Sequence, residues 1–339
     1  MSSPAISVVV IGRDEGQRLV RCLDSLKQIR GVEDGVEIVY VDSASKDGSP
    51  ERAASYGAEV IVLQADRPSA ALGRNAGWRA ARGEYILFLD GDTVLHPDFV
   101  REARAEMEKD TTVAAVWGHR REMHPEHSIY NRILDLDWVY APGIVEFCGG
   151  DVLMRRSVLE QMDGYDGELI AGEEPELCRR MRAAGYSILH VDKPMTGHDL
   201  QMTRWGQYWK RATRAGHAFA EVSRRFRNTA DPFWEGERRR NLIRGGFWML
   251  SFVVAVVTGI AFRTVWPFAL WVAMLAVLSL RSAWKSRWKS NDAATLLLYG
   301  IHSHLQQVPI CIGQLRYEFD RRRGTRRTLI EYKEPSGAK

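Results

Sequence analysis

The stretch Tyr85-Ile86-Leu87-Phe88-Leu89-Asp90-Gly91-Asp92-Thr93 is where residue types and spacing most directly imply chemistry. Five apolar residues read as a strand buried on both faces, and the strand ends in two carboxylates one glycine apart. Carboxylates at the C-terminal end of a buried strand sit where open α/β sheets bind ligands. Two hard oxygen ligands at this spacing can share a divalent cation, and Gly91 lets the backbone approach a nucleotide closely. A lone Asp-Gly-Asp is equally a polar turn, so its neighbours decide its meaning.

Three loops have the right position. Gly12-Arg13-Asp14-Glu15 follows a first strand-like run, Val41-Asp42-Ser43-Ala44-Ser45-Lys46-Asp47-Gly48-Ser49 a second, and Arg67-Pro68 with Gly73-Arg74-Asn75-Ala76-Gly77 a third. All lie beyond strand C-terminal ends and can converge on the crevice that holds Asp90 and Asp92. The sequence has no Gly-x-x-x-x-Gly-Lys-Ser/Thr and no Gly-x-Gly-x-x-Gly after a strand, which excludes the two commonest phosphate loops. A second acidic group, Gly172-Glu173-Glu174, precedes Pro175, which at a first helical turn puts Glu174 at or near the N-cap. Helix N–H groups there favour an ionised carboxylate, the state a general base needs.

The elements that must position these residues alternate. Strands are expected over Ala5–Ile11, Val36–Val41 and Val60–Leu63 and from Tyr85 on. Between them, helices are expected over Glu15–Ile29, Pro50–Tyr56 (closed by Gly57) and Ala70–Arg82 (ended by Gly83). Strand–helix alternation predicts a parallel sheet with right-handed crossovers. Further on, Val113–Trp117 and Ser187–Val191 read as strands and Glu174–Ala184 as a helix stopped by Gly185.

The 339 residues allow one large domain with appendages or two modest ones. Cys22, Cys148, Cys178 and Cys311 form no Cys-x-x-Cys pair, which argues against a zinc site or disulfide scaffold and fits a reducing compartment. After Met1 no basic-then-apolar leader follows, so the first part is expected to remain cytoplasmic. No nucleic-acid partner is expected. The net charge of +4 is small, but basic and aromatic residues crowd from Trp205 to Arg244. Gly245–Phe262 and Val265–Leu280 are then almost wholly apolar, each just long enough to cross a bilayer. Trp248, Trp266, Trp284 and Trp288 lie near their ends, with Arg238–Arg244 before the pair and Arg281, Lys285, Arg287 and Lys289 after it. That pattern predicts a two-helix transmembrane hairpin with both flanks in the cytoplasm. Ala293–Leu315 is apolar but interrupted by His302, His304, Gln306, Gln307 and Pro309, and reads as an interfacial or re-entrant helix. The two histidines read as polar surface or packing residues, not ligands. The basic run Arg316–Arg327 suits anionic headgroups.

Five segments in order carry a family resemblance: VVVIGRDE, VDSASKDGS, GRNAGWRAARGEYILFLDGD, CGGDVLMRRSVLEQMDGYDG and GEEPELCRRMRAAGY. Residues 5 to about 200 resemble a family 2 glycosyltransferase. The resemblance implies an α/β GT-A fold, a Rossmann-like mixed sheet of the nucleotide-diphospho-sugar transferase kind, followed here by the membrane hairpin and an amphipathic helix. It implies domains over 1–225 (transferase), 226–244 (basic juxtamembrane segment), 245–282 (hairpin) and 283–339 (amphipathic helix and basic tail). It also implies an inverting hexosyltransferase with a nucleotide-sugar donor, usually a UDP-sugar, and a Mg²⁺ or Mn²⁺ cofactor.

Carried over by position, Asp42 corresponds to the acid on the base, with Gly12 and Glu15 beside it. Asp90 corresponds to the acid near the ribose, Gly91 to the close backbone approach, Asp92 to the cation ligand, and Arg74 to a basic residue of the donor pocket. Asp90 and His198 are further candidate ligands. Glu174 aligns with the catalytic base, where the family more often has Asp, and Glu173 is the alternative. Asp14 stands where Asn is usual and Gly12 where Pro is usual. Gly149 and Gly150 resemble the acceptor-lining segment. Gln201-Met202-Thr203-Arg204-Trp205 resembles the Gln-x-x-Arg-Trp of processive synthases, so Arg204 and Trp205, with Arg211 as a further candidate, are expected to contact acceptor or diphosphate. Two spans offer no pore for a growing polymer, so processivity is not expected.

The implied activity is transfer of a sugar to a membrane-associated, lipid-linked glycan in exopolysaccharide assembly, at the cytoplasmic face of a bacterial-type plasma membrane. The lipid bilayer, a second copy of the chain or a polysaccharide assembly complex are the implied partners. A polyprenyl-phosphate transferase of the dolichyl-phosphate-mannose-synthase kind is one alternative. Against it, Asp90-Gly91-Asp92-Thr93-Val94-Leu95-His96-Pro97 departs from that group's Asp-Ala-Asp-Leu-Gln-His-Pro-Pro. A catalytically degenerate assembly subunit is the other, and the intact Asp42, Asp90, Asp92 and Glu174 speak against it.

Overall fold

The structure, a computed structural model, describes residues 5–33 and 35–325; Met1–Pro4 and the end of the basic run at Arg326 and Arg327 lie outside the described residues. Two compact units divide the described residues, one of 5–123 with 138–200, the other of 124–137 with 201–325.

The first unit begins with β1 (Ile6–Gly12), α1 (Gln17–Leu26), β2 (Val36–Asp42), α2 (Ser49–Ser55), β3 (Glu59–Val62), α3 (Ala70–Ala80) and β4 (Tyr85–Asp90). The short β5 (Thr93–Leu95), α4 (Phe99–Lys109) and β6 (Val113–Glu122) follow. After α5 (Ile129–Asp135), which belongs to the second unit, come β7 (Gly143–Val145), β8 (Val152–Arg155), α6 (Arg156–Gln161), α7 (Glu173–Ala183) and β9 (Ser187–His198). Among the described residues the strands form one sheet in the order β3-β2-β1-β4-β8-β6-β9-β5, with β7 on β9. The first four strands are parallel, as the alternation predicts, and β8 runs antiparallel between β4 and β6, which makes the sheet mixed.

Register is what aligns the functional ends. Gly12 pairs with Asp42 and Ile11 with Asp90, so the loops after β1, β2 and β4 leave the sheet at one level. The strands stay in place because Val8–Val10, Val39–Val41 and Ile86–Leu89 are fully buried, the burial expected of strands covered on both faces. Helix α3 lies directly on β1: a Cβ at Gly77 would come 2.2 Å from Val9 Cγ1. That contact carries the start of α3, and Arg74 with it, to the same sheet edge.

Two strands run further than hydrophobic pattern indicates. β6 continues past Trp117 to Glu122 and β9 past Val191 to His198, through Lys, Arg, His, Pro and Gly. Register shifts flank Trp117, His119 and Arg120, so the extension is irregular and its alternation is hidden from the sequence.

The second unit continues with α8 (Trp205–Phe226), α9 (Glu235–Ala261), α10 (Trp266–Lys285), α11 (Ala293–Leu305) and α12 (Gln307–Arg322). α9 and α10 are long and apolar enough to cross a membrane, and only 17% and 11% of their most apolar windows are buried. The segment expected as one interfacial helix is two. Pro309 has no N–H to give the Leu305 carbonyl, and the chain breaks at Gln306. Arg316–Arg322 completes α12 and is not a separate tail. His302 Nδ1 lies 2.8 Å from Tyr208 Oη and His304 Nε2 3.0 Å from Ser282 Oγ, the packing role expected of them. The helices cross at glycines: a Cβ at Gly216 would come 2.0 Å from the Ile310 carbonyl oxygen, and one at Gly313 2.1 Å from that of Thr213. Glycine at these positions is what lets the backbones of α8 and α12 touch.

Candidate active site

Arg74 ties the site together. Its side chain is 3% exposed, and Nη2 lies 3.0 Å from Asp90 Oδ1 while Nη1 lies 3.0 Å from both Glu173 Oε1 and Glu174 Oε1. Burial opposes a charge here, but the carboxylates of Glu174, Asp90 and Glu173 hold the guanidinium protonated. Tyr165 offers its ring face 5.6 Å from the guanidinium carbon.

Gly172, in the left-handed region at φ 86°, turns the chain into α7, so Glu173 and Glu174 are the first two residues of that helix. Glu174 is therefore just inside the N-cap. Burial and the Glu173 charge push its carboxyl up to about 7 against the pull of Arg74. The helix N-terminus alone predicts the opposite direction. Desolvation outweighs it, because a helix end contributes only about 0.3–1 kcal/mol near the surface.

Across from Glu174, Gly91 N–H donates to the Ile11 carbonyl at 2.8 Å, and a Cβ at Gly91 would sit 3.2 Å from that oxygen. A side chain there would push the strand end away from β1 by a few tenths of an ångström. Asp92 is buried, and pairing of Thr93 with His198 between β5 and β9 brings its Oδ2 to 3.3 Å from His198 Nε2. Asp151 supports Asp90 from behind: its Oδ1 accepts Asp90 N–H at 3.1 Å and its Oδ2 the Thr196 hydroxyl at 2.7 Å. Burial pushes the Asp151 carboxyl up, with Arg120 opposing. Arg120 lies 3.6 Å from both Asp90 Oδ2 and Asp151 Oδ2 and over the Trp138 ring.

Gly150 is packed under this cluster. A Cβ there would come 2.5 Å from Arg74 Nη2 and 3.1 Å from Asp90 Oδ2. Gly150→Ala is therefore expected to lower kcat/KM about tenfold through displacement of Arg74. The thermal midpoint should fall only a few degrees, and steady-state kinetics beside calorimetry checks both. At Gly149 an added Cβ meets nothing within 4 Å.

A second group gathers one strand away. Asp42 is fully buried; its Oδ1 accepts the Tyr40 hydroxyl at 3.0 Å and the Ser45 hydroxyl at 2.5 Å, and its Oδ2 accepts Ser45 N–H at 2.7 Å. Glu15 pairs with Arg18 at 2.9 Å, and a Cβ at Gly12 would press on Tyr40 Oη and Glu15 Cγ, each at 3.1 Å. Asp47 accepts Gly16 N–H at 2.7 Å and so joins the loops after β1 and β2.

The structure thus gathers Arg74, Asp90, Asp92, Gly150, Glu173, Glu174 and His198, with Gly12, Glu15 and Asp42 at the same edge. Arg204, Trp205 and Arg211 belong to the second unit. There Arg204 is the N-cap of α8, Trp205 stacks on Tyr208, and Arg211 lies 3.9 Å from Asp137. Sequence reasoning missed Arg120, Glu122 and Asp151. The first two sit on the hidden extension of β6; Asp151 follows Gly150 in a recognised segment, and its carboxylate beside two glycines was the available signal.

Whether the residues suit a divalent cation can be judged from the donor set. Hard carboxylate oxygens with one imidazole are a common environment for such ions. The 3.3 Å between Asp92 Oδ2 and His198 Nε2 is close to the ~3 Å edge of an octahedron with bonds of ~2.1 Å. The donors fit.

A mixed sheet with level strand ends, Asp-Gly-Asp at the fourth strand and an acidic helix start across the crevice define a GT-A-type nucleotide-diphospho-sugar transferase fold. Residues 7–162 match the model of "Glycosyl transferase family 2", and residues 85–282 that of "Glycosyl transferase family group 2". The chain is 32% identical over 243 residues to the putative glycosyltransferase EpsH of Bacillus subtilis, covering 67% of this chain and 70% of that protein. It is 36% identical over 102 residues to the succinoglycan biosynthesis protein ExoO of Rhizobium meliloti, covering 29% and 28%. The solved mannosyltransferase PcManGT from Pyrobaculum calidifontis, in complex with GDP-Man and Mn2+, superposes with a TM-score of 0.61 at 20% identity, covering 88% of this chain and 86% of that one. The chain belongs to glycosyl transferase family 2.

Proposed function

We propose that the chain is an inverting, cation-dependent hexosyltransferase. It moves a sugar from a nucleotide donor, in the first place a UDP-sugar, to a lipid-linked or otherwise membrane-associated glycan. The observation that carries this reading is the shared bonding of Arg74 to Asp90 on the donor strand and to Glu173 and Glu174 on α7. One guanidinium spans the two halves of a transfer site.

Glu174 takes the proton of the acceptor hydroxyl as its oxygen attacks the anomeric carbon, and the bond from that carbon to the nucleoside diphosphate breaks on the opposite face. Glu173 is the substitute base. Asp42, with Gly12 and Glu15, holds the nucleotide base; Asp90 and Gly91 lie along the ribose. Asp92, Asp90 and His198 would hold a Mn²⁺ or Mg²⁺ ion, which supplies charge neutralisation to the departing diphosphate. Gly149 and Gly150 leave the acceptor room, and Arg204, Trp205 and Arg211 are proposed as acceptor or diphosphate contacts.

Exposed apolar faces on α9 and α10 support a membrane hairpin, with Leu250 67% and Leu270 69% exposed among the described residues. Basic residues on both flanks favour a cytoplasmic active site, and the domain limits proposed remain 1–225, 226–244, 245–282 and 283–339. ExoO's part in succinoglycan biosynthesis supports an exopolysaccharide setting, in which a second copy of the chain or an assembly complex is the partner. The GDP-Man and Mn2+ of the fold neighbour support donor class and cofactor.

The test is release of nucleoside diphosphate by the membrane-extracted protein with a panel of nucleotide sugars and Mn²⁺, with the product anomer read by NMR. Asp92→Ala is expected to lower turnover about 100-fold. Undiminished turnover in that variant, or a retained anomeric configuration, would remove the reading.

A further inference from the structure

Behind His198 lies a second carboxylate that the transfer mechanism does not use. Glu122 ends β6 directly opposite His198 on β9 and is 6% exposed, which is costly for a charge without a purpose in the fold. Its Oε2 accepts Leu200 N–H at 3.1 Å and lies 3.6 Å from His198 Nδ1. On the other side of the ring, His198 Nε2 faces Asp92 Oδ2 at 3.3 Å. The Trp138 ring meets the imidazole edge-on, 4.8 Å between centroids, and Met123 N–H donates to the His198 carbonyl at 2.9 Å. Ring and backbone are thus held, and each ring nitrogen faces a carboxylate.

A neutral imidazole has one N–H donor and one lone pair, and the partner of the first decides where the second points. Resting on the reading of Asp92 and His198 as cation ligands, we propose that Glu122 is a positioning residue for the cation. By drawing the proton to Nδ1, it leaves the Nε2 lone pair toward Asp92. The 3.6 Å separation needs to close by roughly half an ångström to become a hydrogen bond. Glu122 stands on the far side of the ring from Asp92 and is not itself a ligand. Carboxylate–imidazole–metal arrangements of this form orient the ligand and raise its basicity.

The test uses Mn²⁺ alone on the full-length protein, with binding followed by EPR and imidazole coordination by nitrogen modulation of the electron spin echo. Glu122→Gln keeps an acceptor for Leu200 N–H but can present an amide N–H to Nδ1, which favours the other tautomer. Mn²⁺ affinity is expected to fall about 10–100-fold and the nitrogen modulation to weaken, with the thermal midpoint within a few degrees of native. Glu122→Ala should show the same loss of affinity with lower stability. Native affinity and modulation in Glu122→Gln would overturn the proposal and reduce Glu122 to a structural acceptor for Leu200. If His198→Ala and Asp92→Ala also bind Mn²⁺ as the native protein does, the ligand reading itself fails, and the proposal with it.

Discussion

Glu174→Gln is expected to lower turnover about 10³-fold while donor affinity stays within about twofold of native. The substitution keeps size and leaves an oxygen to accept from Arg74, so the crevice should remain assembled; what disappears is the ability to take a proton. Isothermal titration with the donor and single-turnover transfer separate the two effects. In the native enzyme the same carboxyl, pushed up to about 7 by burial and by Glu173, is protonated and unable to act as a base below that pH. kcat/KM for the acceptor should therefore rise about tenfold per pH unit at acid pH and level off above about 7. A profile flat between pH 5.5 and 8 would contradict Glu174 as the base. Loss of donor binding in Glu174→Gln would mean that the residue holds the pocket and does not work in it.

Arg74→Met should be the most destabilising single change at the site. It removes the guanidinium from among Asp90, Glu173 and Glu174 and leaves the buried Glu173 and the partly buried Glu174 and Asp90 facing one another. Breaking a buried pair by deleting one partner costs about 3–5 kcal/mol. For a unit of this size that lowers the thermal midpoint by on the order of 10 °C. The pH dependence has a definite sign. Glu174 already sits above its ordinary value of 4.5, and without Arg74, which lowers it, it moves higher still. A carboxyl raised in the folded state binds more protons folded than unfolded, so its contribution is fully present below about 4.5 and is lost as pH rises through the folded value. The deficit of Arg74→Met should accordingly be larger at pH 8 than at pH 5.5, measured by denaturant melts at the two pH values. A pH-independent deficit would mean that packing, and not charge, sets the cost.

Where hydrophobic pattern and function coincide, the chain was readable in advance. β1, β2 and β4 announce themselves as apolar runs closed by glycine or aspartate, and their register alone brings Asp42 level with Gly12 and Asp90 level with Ile11. The two apolar helices were equally plain from composition. Legibility stops where burial is imposed by partners distant in sequence. Past Trp117, β6 reads Gly-His-Arg-Arg-Glu, which as a string is a surface loop; only pairing with β9 makes Arg120 and Glu122 part of the site. Ionisation of Glu174 was misjudged for a related reason. The helix start is visible in Pro175, whereas the desolvation that overrides it depends on how much protein covers the carboxyl. The break between α11 and α12 was hidden because Pro309 was weighed as one interruption among several polar residues.

The irregular end of β6 has a consequence for how this protein can change. Arg120 and Glu122 reach Asp90, Asp151 and His198, while His119 pairs with Asp192 and, with Arg121 and Met123, lines a separate groove of about 800 Å³. Which set faces the chemistry is fixed by the register shifts beside His119. Loss of one residue between Gly118 and Arg120 would exchange the two sets at a stroke, turning Arg121 and Met123 inward, while Val113–Trp117 kept the strand in place. The groove-side chains of this strand can be varied one at a time over generations, but its length cannot. Descendants of this sequence should accumulate substitutions at His119, Arg121 and Met123, on the groove side, and almost no insertions or deletions from 118 to 123.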